Sequence, residues 1–149
     1  MGMINRVAVI GAGQMGGGIA LTTARHAKLP VLLIDTNPES LRKQRSLFEK
    51  LLDKDVSRNT MTAQDKSDTL NLITFTDDMK AVAGNVDYVI EAVPESLEIK
   101  SRLFHFLSDT ITNANTVIAS NTSSLPITKL ASLYKRDPSR VIGMHFMNP

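Results

Sequence analysis

The 149-residue sequence contains no cysteine. Disulfide staples, thiolate metal sites and thiol nucleophiles are therefore excluded, and the composition fits a reducing compartment. Tryptophan is also absent, and two tyrosines and five phenylalanines are all the aromatic residues. So few aromatics, with a net charge of only +2, do not suit the stacking platforms and basic field of a nucleic-acid surface. The locally basic stretch 129–140 holds four bases and one acid, too sparse a patch to change that reading. No apolar run approaches the roughly 18 residues of a membrane span. The run VAVI breaks at once into GAGQMGGG, which is not the pattern of a secretory signal. Arg6 stands where a myristoylation signal wants Ser or Thr, so no lipid anchor is expected. With 42% hydrophobic and 21% charged residues and no linker, the chain is expected to fold as one domain around a sizeable core.

What is present is an alternation of apolar, β-branched runs with helical patterns. Strands are expected at 4–10 (INRVAVI), 31–35 (VLLID), 72–75, 86–92, 116–120 and 141–144. Helices are expected at 14–28, 39–55 with Pro38 in the first turn, 62–70 with Thr62 as cap, 77–84, 96–109 and 127–134. Helix 39–55 should turn Leu41, Phe48, Leu51 and Leu52 inward; helix 96–109 should turn Leu97, Leu103, Phe104 and Leu107 inward. Continuous apolar strands alternating with helices imply an α/β, Rossmann-type doubly wound fold, a mostly parallel sheet with helices on both faces.

The most informative motif is GAGQMG. Gly11, Gly13 and Gly16 have G-x-G-x-x-G spacing directly after a strand and at the opening of a helix. That context is the dinucleotide fingerprint: Gly11 for the tight turn, Gly13 for close approach of a pyrophosphate, Gly16 for helix–strand packing. The helix N-terminus offers unpaired N–H groups and a positive dipole end to the phosphates. Asp35 ends the next strand 19 residues after Gly16. A carboxylate there accepts from the ribose hydroxyls and repels a 2′-phosphate, favouring NAD over NADP. Asp35, Thr36 and Asn37 are also helix-capping types, and both roles are compatible, with Asn37 as the cap.

Four segments, IGAGQMGGGIA, EAVPESLEIKSRLF, ASNTSSLPIT and HFMNP, occur in this order. Together they resemble the NAD-binding domain of the L-3-hydroxyacyl-CoA dehydrogenase family, including its bacterial 3-hydroxybutyryl-CoA branch, over essentially the whole chain. The resemblance implies roles residue by residue. Glu95 matches a glutamate near the nicotinamide ribose, and Lys100 the lysine of the same cofactor contact. Ser123 matches the serine between nicotinamide and substrate. His145 matches the catalytic histidine, and Asn148 the asparagine beside it that meets cofactor and substrate. On their residues alone, Glu95 and Lys100 read as a solvated first helical turn, NTSS as turn chemistry, and His145 as a packed histidine at a strand end. Position favours the functional reading of His145, because Gly11, Asp35, Glu95, Ser123 and His145 all follow strand ends, where ligands collect in open α/β sheets. His26 and His105 lie on helices outside this cluster.

The resemblance further implies NAD-dependent oxidation of a 3-hydroxyacyl-CoA to the 3-oxoacyl-CoA, with no metal. It implies a glutamate partner for His145 and a helical substrate and dimerisation domain, both beyond residue 149, and a homodimer built through that domain. Residues 1–149 would then be the NAD-binding domain, binding cofactor but needing the rest for turnover. In this family the region of Arg42, Lys43, Arg45, Lys50 and Lys54 helps hold the CoA nucleotide; read alone, it is a solvated face with four interleaved acids. Neither nucleic acid nor membrane is expected as partner. A cytoplasmic location is expected, with the mitochondrial matrix the alternative for a processed form. The alternative functions are another NAD-dependent 3-hydroxy acid dehydrogenase and a stand-alone dinucleotide-binding module.

Overall fold

In the computed structural model, which describes residues 2–148, six short strands form one parallel sheet. The strands are β1 (Val7–Ile10), β2 (Val31–Ile34), β3 (Ile73–Thr76), β4 (Tyr88–Glu91), β5 (Val117–Ser120) and β6 (Val141–Gly143). The α-helices are α1 (Gln14–Thr22), α2 (Pro38–Ser57), α3 (Ala63–Asn71), α4 (Leu97–Thr110) and α5 (Ile127–Leu133). The strand order is β3-β2-β1-β4-β5-β6, every pair parallel, which confirms the doubly wound architecture. Order reverses between β1 and β4, so a crevice opens beyond their carboxyl ends, the usual place for a ligand in such sheets. No helix among the described residues is long and apolar enough to cross a membrane.

Both faces of the sheet are buried, and the pleat sorts its side chains between them. Ala8, Ile10, Leu32, Ile34, Val89 and Ile118 point to one face and pack with Leu103, Phe104 and Leu107 of α4 and Leu130 of α5. Val7, Val9, Val31, Leu33, Ile90 and Ala119 point to the other and meet Ile19 and Ala20 of α1 and Leu41 and Phe48 of α2. Two-sided burial explains why the strands read as unbroken apolar runs.

The helices start where capping chemistry places them. Thr62 and Asp65 make a reciprocal capping box on α3. Asn37 accepts from the Glu39 N–H at 3.0 Å and caps α2, with Pro38 behind it. Ser96 caps α4. Several expectations are corrected. The first strand begins at Val7, because the N–H groups of Asn5 and Arg6 turn to the Asp87 carboxylate instead of a ladder. The first helix ends in a π turn at Thr23–Ala27 and a left-handed Lys28. The segment after β3 is a 3₁₀ helix, Met79–Ala83. On α2, Leu51 is 42% exposed and Gln44 takes a buried position in the stripe with Leu41, Phe48 and Leu52.

The glycine loop is a packing constraint as well as a turn. Gly11 has φ +106°, and a Cβ there would stand 2.5 Å from the Ala92 carbonyl oxygen. A Cβ on Gly16 would come within 1.7 Å of the Gly11 carbonyl oxygen, so α1 can sit on the end of β1 only without one. Gly18, two residues on, faces open space. We therefore expect Gly16→Ala to destabilise the domain by at least about 2 kcal/mol in urea denaturation, as overpacking against backbone does. Gly18→Ala should instead raise stability by about 0.5–1 kcal/mol, the helix-propensity gain; equal effects at the two positions would contradict this packing.

Candidate functional site

Two adjoining cavities lie along the carboxyl edge of the sheet and share Met15, Ala92 and Val93 in their walls. The larger, about 830 Å³, runs past Gly11, Gly13, Gln14 and Asp35, and is also lined by Met79, Ile99 and Phe106. The smaller, about 470 Å³, is lined by Glu95, Lys100, Asn121, Ser123, His145 and Asn148. Every predicted site residue except Gly16 thus borders one of the two, and Gly16 lies under the loop as packing.

The larger cavity has the features of a dinucleotide cleft. Gly13 is the N-cap of α1 and supplies no side-chain cap, which leaves the first-turn N–H groups free to meet a phosphate. Beyond Gly13 and its two chain neighbours, no described protein atom lies within 4 Å of where a Gly13 Cβ would stand, and Gly13 lines the cleft. Asp35 Oδ2 accepts from the Ala12 N–H and Oδ1 from the Asn37 N–H, both at 2.8 Å. One carboxylate therefore ties the glycine loop to the start of α2 at the cavity edge.

The smaller cavity rests on a buried polar network that extends beyond the residues singled out by sequence. Glu91, the last residue of β4, is fully buried. Its carboxylate accepts from Lys100 Nζ at 2.5 Å, from the Val93 N–H at 3.0 Å and from the Ser120 hydroxyl. Lys100 is only 2% exposed, which corrects its reading as solvated surface; its Nζ also reaches the Val93 carbonyl at 3.3 Å and Glu95 at 3.6 Å. Glu95 in turn accepts from the Thr122 hydroxyl at 2.8 Å and from the Ser123 N–H at 3.0 Å. Partial burial pushes the Glu95 carboxyl up, but the Ser123 N–H, the Thr122 hydroxyl, Lys100 and the Ser123 hydroxyl outweigh it and hold the group below the usual carboxylate range. Glu95 is thus held as a carboxylate beside Ser123.

Asn121 carries the other side of the site. Its Oδ1 accepts from the Phe146 N–H at 2.7 Å, pinning the segment after β6 that presents His145 and Asn148. His145 is exposed at the cavity wall. Glu91, Ser120, Asn121 and Thr122 were not legible as site residues. The one local signal was an acid closing an apolar strand, since a buried carboxylate must find partners. Among the described residues no cluster of His, Asp or Glu could hold a metal ion.

This geometry defines an NAD-binding domain of the Rossmann class. Comparison with known proteins is more specific. Residues 6–149 match the family described as 3-hydroxyacyl-CoA dehydrogenase, NAD binding domain. The chain is 41% identical to a 3-hydroxybutyryl-CoA dehydrogenase of Mycobacterium tuberculosis and 42% identical to a probable 3-hydroxybutyryl-CoA dehydrogenase of Bacillus subtilis, each match covering 98% of this chain and 50% of the relative. The crystal structure of a 3-hydroxybutyryl-CoA dehydrogenase from Escherichia coli K12 superposes with a TM-score of 0.92 at 39% identity, covering 99% of this chain and 30% of that one. The chain belongs to the NAD-binding domain family of the 3-hydroxyacyl-CoA dehydrogenases. It spans about half the length of the curated 3-hydroxybutyryl-CoA dehydrogenases it matches.

Because Glu91 and Lys100 compensate each other out of water, removing one partner should cost far more than removing both. Lys100→Met is expected to destabilise the domain by about 3–5 kcal/mol. Pairing it with Glu91→Gln should recover a large part of that loss in denaturant titrations; additive losses would show that the two side chains do not interact.

Proposed function

We propose that the chain is the cofactor half of an enzyme that oxidises a 3-hydroxyacyl-CoA to the 3-oxoacyl-CoA, reversibly. The observation that carries this reading is the placement of His145, Ser123, Glu95 and Asn148 around one cavity that adjoins the glycine-loop cleft. The residues present fit NAD: an uncapped helix N-terminus, an open approach at Gly13 and the Asp35 carboxylate at the cleft edge. When bound, NAD supplies the hydride acceptor.

The chain's own residues then divide the remaining work. Gly11, Gly13 and Gly16 shape the pyrophosphate site, and Asp35 faces the ribose hydroxyls of the adenosine half. Glu95 and Lys100 serve the nicotinamide side, and Asn148 lines the same cavity. Ser123 orients the substrate hydroxyl beside the nicotinamide position. His145 takes the proton of the 3-hydroxyl as general base while C3 gives up its hydride, leaving a carbonyl at C3. Asn121, by holding the Phe146 N–H, keeps His145 at the cavity wall. A carboxylate partner for His145, the acyl pocket and a homodimer contact are assigned to a helical domain beyond residue 149. Such a carboxylate fixes the imidazole tautomer and stabilises the imidazolium, so turnover depends on it. We place the enzyme in the cytoplasm, which a cysteine-free chain suits.

The cofactor assignment is tested by NADH fluorescence on this chain. NADH should bind more tightly than NADPH, and Asp35→Ala should narrow the gap by a few kcal/mol at most, as for one charged contact. Gly13→Val should abolish NADH binding while circular dichroism stays native, since the added Cβ meets no protein atom. Equal NADH and NADPH affinities in the parent would overturn the role of Asp35.

The proton-transfer assignment is tested in a protein that also carries the helical domain. There His145→Gln should slow single-turnover hydride transfer about a hundred- to ten-thousand-fold, the range of a lost general base. NADH affinity should hardly change. A variant turning over at the parent rate would move the proton transfer to another group.

A further inference from the structure

We propose that Gln44 is a positioning residue for the pyrophosphate-binding loop, and that Gly17 is a glycine because it must admit the Gln44 amide. The proposal rests on the NAD-binding reading of the larger cavity. Gln44 is 9% exposed and sits in the buried stripe of α2 with Leu41, Phe48 and Leu52. A polar residue in an apolar stripe needs a hydrogen-bond partner. The Gln44 Nε2 finds it 31 residues away, donating to the Gly13 carbonyl at 3.1 Å. The same carbonyl accepts the Gly17 N–H at 2.9 Å.

The bond matters because of which peptide it holds. Asp35 accepts from the Ala12 N–H, and Gln44 donates to the Gly13 C=O. The segment from the end of β2 into α2 thus grips the glycine loop at two successive residues, once through a donor and once through an acceptor. No described peptide is cis, and in a trans peptide plane the C=O and N–H point in opposite directions. Turning the Gly13 C=O inward therefore turns the Gln14 N–H outward from the start of α1, where a phosphate meets a helix N-terminus. A donor fixed in advance loses less freedom when the ligand arrives. Space for this grip depends on Gly17: a Cβ there would lie 2.1 Å from Gln44 Oε1 and 2.9 Å from its Nε2. Those atoms end a flexible side chain, so an alanine would displace the amide rather than the backbone.

The test uses this chain with NADH as the probe, and adenosine, which lacks the pyrophosphate, as the comparison ligand in competition titrations. Gln44→Met keeps the length and apolar fit but removes the donor. It should weaken NADH about three- to tenfold, the scale of one hydrogen bond. Adenosine affinity and the melting temperature should stay near those of the parent. Gly17→Ala should weaken NADH by a similar factor, and the double variant should lose no more than the weaker-binding single variant, because both changes break the same bond. Gly17→Ala also serves alone should Gln44→Met fail to fold. Parent-like NADH affinity in the folded single variants, equal losses for NADH and adenosine, or additive losses in the double variant would overturn the proposal. A parent chain that binds no NADH would instead overturn the cofactor reading on which it rests.

Discussion

The carboxylate of Glu91 organises the carboxyl edge of the sheet. It ends β4, receives Lys100 from α4, accepts the Ser120 hydroxyl from the end of β5, and takes the Val93 N–H as the chain leaves the strand. Three elements that would otherwise diverge above the sheet are thereby tied to one buried charge. The Ser120 hydroxyl also accepts the Thr122 N–H at 3.3 Å, so the turn after β5 is oriented from the same centre. That turn carries Thr122 and Ser123 to Glu95. A buried charge left unpaired is costly, and a buried pair is weak evidence for stability on its own. Its value here is geometric, because the pair leaves the turn after β5 and the first turn of α4 few alternative arrangements.

A second constraint acts on the other side of the crevice. The end of β1 touches the start of α1 so closely that Gly16 has no room for a side chain, and Gly11 lies against Ala92 from β4's exit. The loop between them is therefore wedged between its own helix and the neighbouring strand's continuation. The β2–α2 unit completes the enclosure through Asp35 and Gln44. The two cavities adjoin because these constraints converge where strand order reverses, with Met15, Ala92 and Val93 forming their common wall.

Most of the fold was legible because its signals are local. Apolar runs bounded by Gly, Pro or capping residues marked each strand and helix to within a few positions, and Thr62 and Asn37 act as caps as their residue types suggest. Where the local pattern misleads, a tertiary contact intervenes. Leu51 fits the periodicity of α2 but faces outward, while Gln44, polar on any scale, is buried because the Gly13 carbonyl is there to receive it. Lys100 reads as surface charge in the sequence and is nearly inaccessible in the fold, because Glu91 draws it inward. Val7 starts the first strand three residues later than the apolar pattern suggests, because Asp87 captures the two preceding N–H groups.

The sequence by itself determined the order of strands and helices, the two-sided burial of the sheet, the glycine loop at the first strand–helix junction and the carboxylate at the end of the second strand. Each depends on residues within one turn or one strand of each other, where spacing alone sets geometry. Only the tertiary structure decided which polar groups meet. Glu91 with Ser120, Thr122 with Glu95, Asn121 with Phe146 and Gln44 with Gly13 are 25 to 31 residues apart in the chain. They become neighbours because parallel strands bring successive carboxyl ends to one edge, and because a polar group buried there must be satisfied by whatever the next crossover delivers.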